Sequence, residues 1–270
     1  MANKKKETFD VTVILPVHEL NETTTTLLKQ AIASVGLQEV APEAVFIVVP
    51  KGSEIVKTVK GMVPKSMLKY TVLENDGETD FCSQVNFGIE ATETEWFSIL
   101  EYDDEYSKIW FKNVATYVKA YPDVGIFMPM IVDVNEEGQY MGGTNEAVWA
   151  NQFSDEMGLL DTDALLRYQN FNTDGVVMKK EVIDDFGGFK PSIKLTFIYE
   201  FLLRMTHSGI KTMVIPKIGY KHVNLREGSL FHTYREEMDD VESRWWMNKA
   251  KKEYFWNEDR KIIYEKAETD

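Results

Sequence analysis

Apolar positions along the chain alternate between short continuous runs and longer stretches of helical spacing, a pattern that predicts strands and helices in turn. VTVIL at 11–15 is a β-branched run closed by Pro16, and Thr24 to Val35 carries apolar residues at helical spacing. The order then repeats, with AVFIVVP at 44–50 as a buried-type strand and Glu54 to Met62 as a helix before Pro64. Lys69 to Leu73 reads as a short strand and Asp80 to Ala91 as a helix. WFSIL at 96–100 is a buried strand that runs straight into EYDDEY at 101–106. A helix from Ile109 to Ala120 and a strand GIFMPMIVDV at 125–134 follow, and Gly138, Gly142 and Gly143 mark turns. From Asn145 to Arg167 no period is sustained, so this stretch reads as a loop with short helices. DGVVMKK at 174–180 predicts a strand, then a short helix, a GGF turn at 187–189, an amphipathic helix from Phe197 to Ser208 and a last strand, KTMVIP. The charged end from Thr233 to Asp270 is rich in Trp and Tyr and predicts helices that pack across the domain or against a partner.

Alternating strands and helices imply an α/β fold with a mostly parallel sheet flanked by helices. In such sheets ligands bind beyond the carboxyl ends of the strands. The acidic turn at 101–106 lies at such an end.

At 270 residues the chain suits one sizeable domain with a C-terminal appendage. Its apolar runs fall well short of the roughly 20 residues that span a bilayer, so no integral membrane segment is expected. The N-terminus, MANKKKETFD, lacks the apolar core of a signal peptide and reads as a solvated leader. A single cysteine, Cys82, excludes an intrachain disulfide framework or a cysteine-rich zinc site and fits a reducing cytoplasm. A net charge of −14 repels nucleic acid and anionic membranes. A protein this acidic needs a cation to handle a phosphorylated ligand, which directs attention to metal ligands.

Glu101, Asp103 and Asp104 share one tight turn, where adjacent carboxylates repel unless a cation or hydrogen-bond donors neutralise them. Oxygen ligands of this kind suit Mn²⁺ or Mg²⁺, which keep positions for water and substrate phosphates. Taken alone, the cluster reads better as a solvated turn capping the helix that starts near Lys108. Its position at a strand end within the wider chain order reverses that preference.

That order resembles family-two glycosyltransferases of the GT-A fold, in pieces from about Val11 to Leu230. VTVILPVHELNET is similar to the family's opening strand, and WFSILEYDDEY resembles its DxD-containing stretch, with Glu101 in place of the first Asp. DGVVMKKEVIDDFGGF resembles the acceptor-side segment ending in Gly-Gly-Phe, and YKHVNLREGSL the closing Tyr-x-His segment. The resemblance implies a GT-A domain over 1–232, with a nucleotide-binding half at about 9–107 and an acceptor-side half at about 108–232. A helical extension follows at 233–270, and its aromatic helices could serve oligomerisation. It further implies a nucleotide-sugar donor, with a UDP-sugar favoured, a hydroxyl acceptor, and inversion at the anomeric carbon.

Carried over by position, the resemblance places Pro16, His18 and Glu19 beside the base and ribose, and Asn86 near the nucleotide. Glu101 and Asp103 would lie on the donor, Asp103 and Asp104 on ribose and metal, and His222 on the metal as a further ligand. Arg226 and Ser229 would hold the leaving diphosphate. Three departures stand out. The second strand ends in PKGSE, without the family's base-reading Asp; Gln84 stands where a basic residue is common; and Phe197 and Ile198 occupy the positions of the acceptor-side Glu-Asp pair. Glu200 is the remaining carboxylate nearby and the candidate general base. The competing reading makes it the i,i+4 partner of Arg204.

Those departures keep a second reading open, a degenerate transferase that binds a sugar-nucleotide or glycan without turnover. A nucleotidyltransferase is a third, although HELNETTTT lacks the Gly-rich basic loop that class would carry. Trp245 and Trp246 read as helix-packing aromatics and Cys82 as a small buried residue. Walker, HExxH and GxSxG signatures are absent from the sequence.

Overall fold

The computed structural model describes residues 6–64, 68–150, 152–224, 226 and 229–254. The expected basic leader and the last part of the C-terminal extension lie largely outside the described residues.

The N-terminal half alternates as its pattern predicts: β1 (Thr8–Pro16), α1 (Glu22–Gly36), β2 (Ala41–Pro50), α2 (Glu54–Met62), β3 (Lys69–Asn75), α3 (Phe81–Glu90) and β4 (Trp96–Ile99). Local chemistry fixes the helix starts. Asn21 and Thr24 exchange a capping box at the head of α1, and the Asp80 side chain accepts from Ser83 N at the head of α3. Neighbours β1 and β2, β2 and β3, and β1 and β4 run parallel.

The second half is less regular: β5 (Glu105–Tyr106), α4 (Trp110–Ala120), β6 (Ile126–Val134), β7 (Tyr140–Thr144), β8 (Leu159–Leu160), α5 (Thr162–Arg167), β9 (Val177–Lys179), α6 (Lys180–Phe186), α7 (Phe197–His207), β10 (Thr212–Val223), α8 (Leu230–Glu237) and α9 (Asp240–Glu253). The strands join one ten-stranded sheet in the order β3-β2-β1-β4-β9-β6-β10-β5, with β7 on β6 and β8 on β10. Strand β9 is antiparallel to both β4 and β6, so the sheet is mixed but largely parallel.

Period-two alternation divides the core between the two faces. Val11, Val13 and Leu15 of β1 pack with α1 and α4 on one side, while Ile14 faces α3 and α7 on the other. Helix α3 lies so close to β1 that a Cβ at Gly88 would fall 2.5 Å from Ile14 Cγ2. Trp246 and Ala250 of α9 are buried in the α7 side of the core, whereas Trp245 is 53% exposed. The described part of the extension, to Tyr254, is therefore packed on the main body, and of Trp245 and Trp246 only the second is a core residue.

Strand β10 departs most from expectation. The sequence pattern ends it at Pro216, yet it continues to Val223, with register shifts against β6 between Ile215 and Ile218 and again before Tyr220. Proline cannot donate to a ladder, so the strand irregularly bypasses that position and then resumes. The resumed part carries Tyr220, Lys221 and His222 to the acidic turn, with Lys221 paired to Glu105 of β5.

Candidate active site

The acidic turn leaves β4 and is held in place by β10. Glu101 N donates to Tyr220 Oη at 3.0 Å, and Asp104 Oδ1 accepts from Val223 N at 2.8 Å. Asp104 Oδ2 lies 3.0 Å from His222 Nδ1, which is also 3.5 Å from Asp174 Oδ2. Asp174 sits in the turn before β9. Gly175, at φ +69°, follows it because a Cβ there would meet the Tyr220 ring at 2.4 Å. Asn172 Nδ2 donates to the Asp174 carboxylate and orients it. Asp174 is a site residue that sequence reasoning did not single out. The fragment TDG carries no local signal, and only the β9–β6–β10 juxtaposition brings it to His222.

Asp103 points the other way, toward Arg226. Arg226 Nε donates to Asp103 Oδ2 at 2.8 Å, and its Nη2 donates to Tyr102 Oη, also at 2.8 Å. Tyr102 Oη in turn donates to Glu19 Oε1 at 3.4 Å, and the Tyr102 ring meets His18 edge-on at 5.4 Å. His18, Glu19, Asp103 and Arg226 thus form one connected group beyond Pro16, the last residue of β1.

Other expected residues are engaged differently. The Asn86 amide is engaged on Phe189, donating to its carbonyl at 2.7 Å and accepting from its N–H at 3.0 Å, so it fastens the Gly-Gly-Phe turn. A Cβ at Gly188 would strike Asn86 Oδ1 at 2.3 Å, which explains the glycine. The Ser229 hydroxyl accepts from His232 N at the head of α8. Gln84 is buried and donates to Thr79 O, with its Oε1 unpartnered.

Glu200 is engaged as in the competing reading, as the i,i+4 partner of Arg204. It is 0% exposed, and Arg204 donates to both of its oxygens, at 2.9 and 3.1 Å, while Lys190 Nζ lies 2.9 Å from Oε1. Arg204 also binds the carbonyls of Phe186, Gly187 and Gly188. Glu200 is the buried counter-ion of an arginine that braces the Gly-Gly-Phe turn.

The electrostatics of the turn are those of a site short of positive charge. Burial, then the charges of Asp174 and Asp104, raise the Glu101 carboxyl well above its usual range. Burial likewise lifts Asp174 to about 7, with His222 opposing and Asp104 reinforcing the rise. Burial works to lower His222, but Asp104 and Asp174 outweigh it and raise the imidazole well above its ordinary value. Asp103 is raised by burial and by Asp104, against the pull of Arg226.

Among the described residues two overlapping sets can hold a cation, Asp104 with Asp174 and His222, and Glu101 with Asp103 and Asp104. In each, the ligand atoms lie within 4.8 Å of one another. The raised Glu101 and Asp174 carboxyls beside a half-buried imidazole are what a divalent ion would relieve, so the residues fit a metal. The carboxylate and imidazole donors of the first set suit Mn²⁺, whereas Mg²⁺ prefers oxygen alone.

The same shifts give a testable pH dependence. Between 3.8 and about 7 the folded chain holds a proton on Asp174 that the unfolded chain has released, so stability falls as pH rises through that window. The raised His222 acts in the same direction, its stabilisation complete below 6.5 and lost as pH climbs through its folded value. Metal-free protein is expected to melt lower at pH 8 than at pH 5, and Asp174→Asn to narrow the difference. Calorimetry at the two pH values checks this.

Comparison with known proteins agrees with this architecture. The sequence profile described as Glycosyl transferase family 2 matches residues 12–189. The chain belongs to that family and is a glycosyltransferase of the GT-A fold. No curated protein sequence gives a significant match. Among solved structures, residues 1–349 of S. aureus TarS are similar at 13% identity and a TM-score of 0.61, over 91% of this chain and 80% of that one. The same TarS fragment in complex with UDP-GlcNAc aligns at 14% identity and a TM-score of 0.60, over 83% of this chain and 60% of that one. The mannosyltransferase PcManGT from Pyrobaculum calidifontis, in complex with GDP-Man and Mn²⁺, aligns at 16% identity and a TM-score of 0.58, over 84% of this chain and 59% of that one. The chain thus spans only about three-fifths of two of these structures. Among the described residues no helix is long and apolar enough to cross a membrane.

Proposed function

We propose that the protein transfers a sugar from a nucleoside-diphosphate sugar to a hydroxyl acceptor with the help of a divalent metal, and inverts the anomeric centre. The observation that carries this reading is the meeting of the buried Asp104 and Asp174 with the half-buried His222 beyond the end of β4. Similar structures contain UDP-GlcNAc in one case and GDP-Man with Mn²⁺ in another, which supports a nucleotide-sugar donor.

Asp104 and His222, with Asp174 beside them, would hold the metal, which would supply positive charge for the leaving diphosphate. Asp103 and Arg226 fix each other; Asp103 would then meet a ribose hydroxyl and the guanidinium would meet a phosphate. Tyr102, held by Arg226, carries His18 and Glu19 against the same group and would form the wall around the base and ribose. Single displacement accounts for inversion, because the acceptor oxygen attacks the face opposite the bond that breaks.

Mn²⁺ with UDP or GDP is expected to raise the melting temperature, by about 2.7 kcal/mol of stabilisation when ligand is at 100 times its dissociation constant. Release of nucleoside diphosphate from a panel of UDP- and GDP-sugars measures turnover. Binding without any release would favour the degenerate binding module, and no shift with metal or nucleotide would remove the site assignment.

A further inference from the structure

Displacement by a hydroxyl needs a group that takes its proton, and Glu200 is committed to Arg204. The cavity that opens on His222 contains one other carboxylate. This cavity, of 340 Å³, is walled by β6, β10, the start of α7 and the chain before Asp174, and Asp133 of β6 lies within its lining. Asp133 is the β6 partner of His222 in the parallel ladder. Thr144 Oγ1 donates to Asp133 Oδ2 at 2.9 Å, which orients the carboxylate and leaves Oδ1 for another donor.

The rest of the lining points to the class of molecule that enters. It contains no lysine or arginine and presents the amides of Gln169, Asn170 and Asn224. Amides offer both a donor and an acceptor and match neutral hydroxyls, whereas a phosphate would find no cationic side chain but His222 and would face Asp133. Ile198 and Met247 add apolar surface suited to the C–H faces of a sugar ring. At this volume the cavity accepts one or two rings, within the range of small-ligand sites.

Resting on the proposed sugar transfer, we infer that this cavity receives an uncharged sugar acceptor and that Asp133 is the catalytic base. The acceptor O–H proton passes to Asp133 Oδ1 and its oxygen forms the new bond to the anomeric carbon. The bond from that carbon to the diphosphate oxygen breaks, and its electron pair leaves with the nucleoside diphosphate. Met247 belongs to α9, so the C-terminal extension contributes to the acceptor wall.

Azide provides a test, since it attacks without a proton to lose. With the UDP- or GDP-sugar that wild type hydrolyses fastest, Asp133→Asn and Asp133→Ala are expected to slow turnover by about 10²-fold or more. Their dissociation constants for the nucleoside diphosphate with Mn²⁺ stay within about twofold of wild type, a spread small beside a tenfold change of 1.4 kcal/mol. Added azide is expected to restore donor consumption in Asp133→Ala, with glycosyl azide as the product. Wild-type turnover in Asp133→Asn, or no azide rescue in a variant that still binds nucleotide, overturns the role of Asp133. In saturation-transfer NMR with nucleoside diphosphate and Mn²⁺ present, methyl glycosides are expected to bind and glucose 6-phosphate is not. Preference for the phosphate, or binding of neither, overturns the acceptor assignment. A wild-type protein that binds no nucleotide at all defeats the parent reading instead, and the two failures are told apart by that first measurement.

Discussion

Asp104→Asn is expected to weaken Mn²⁺ binding by at least about 100-fold, the loss associated with removing even a supporting partner of a metal ligand. Sugar transfer should fall by about 10³-fold, in the range found when one element of preorganised charge stabilisation is removed. The substitution is isosteric, and its amide oxygen can still accept from Val223 N, which Asp104 Oδ1 does at 2.8 Å. The turn should therefore keep its shape while losing the charge that faces His222 Nδ1 at 3.0 Å. Isothermal titration with Mn²⁺ and an assay of released nucleoside diphosphate read the two effects separately. Full metal affinity in the variant would move the centre to Glu101 and Asp103.

Arg204→Met should instead act on stability, at a cost of about 3–5 kcal/mol, because it leaves the Glu200 carboxylate buried without its main partner. Both residues are essentially inaccessible, at 1% and 0% exposure, and the lost guanidinium also releases three carbonyls of the segment from Phe186 to Gly188. Glu200→Gln paired with Arg204→Met should recover part of the loss. Urea unfolding of the single and double variants measures this. A single variant as stable as wild type would mean that Lys190 alone neutralises Glu200.

These expectations divide along the line between what local pattern reveals and what tertiary contact creates. The N-terminal half was legible almost residue by residue, since Glu54 to Met62 and the start of β3 at Lys69 coincide with the predicted bounds. Apolar runs closed by Pro16 and Pro50 carry that information locally. Strands β5 and β8 were not visible, because two residues have no period of their own and pair only through β10, and β7 was hidden by Gly142 and Gly143, which read as turn. The upper part of β10 was hidden by Pro216. Asp103, Asp104 and His222 could be picked out from a charged turn and a motif. Asp174 could not, because nothing beside it in sequence says that His222 lies within 3.5 Å. Glu200 was open to two readings because its spacing to Arg204 permitted an ion pair, and only the tertiary structure shows that pair formed and buried.

Strand β10 also fixes when the site can exist. His222 joins Asp104 across 118 residues of chain, and Arg226 joins Asp103 across 123. A growing polypeptide therefore exposes its acidic turn long before either cationic partner has emerged. A chain shortened before Tyr220 would lack the imidazole, the guanidinium and the phenol that hold the turn, and metal could not rescue it. The contacts that hold the acidic turn are thus available only to molecules in which β10 has reached the sheet.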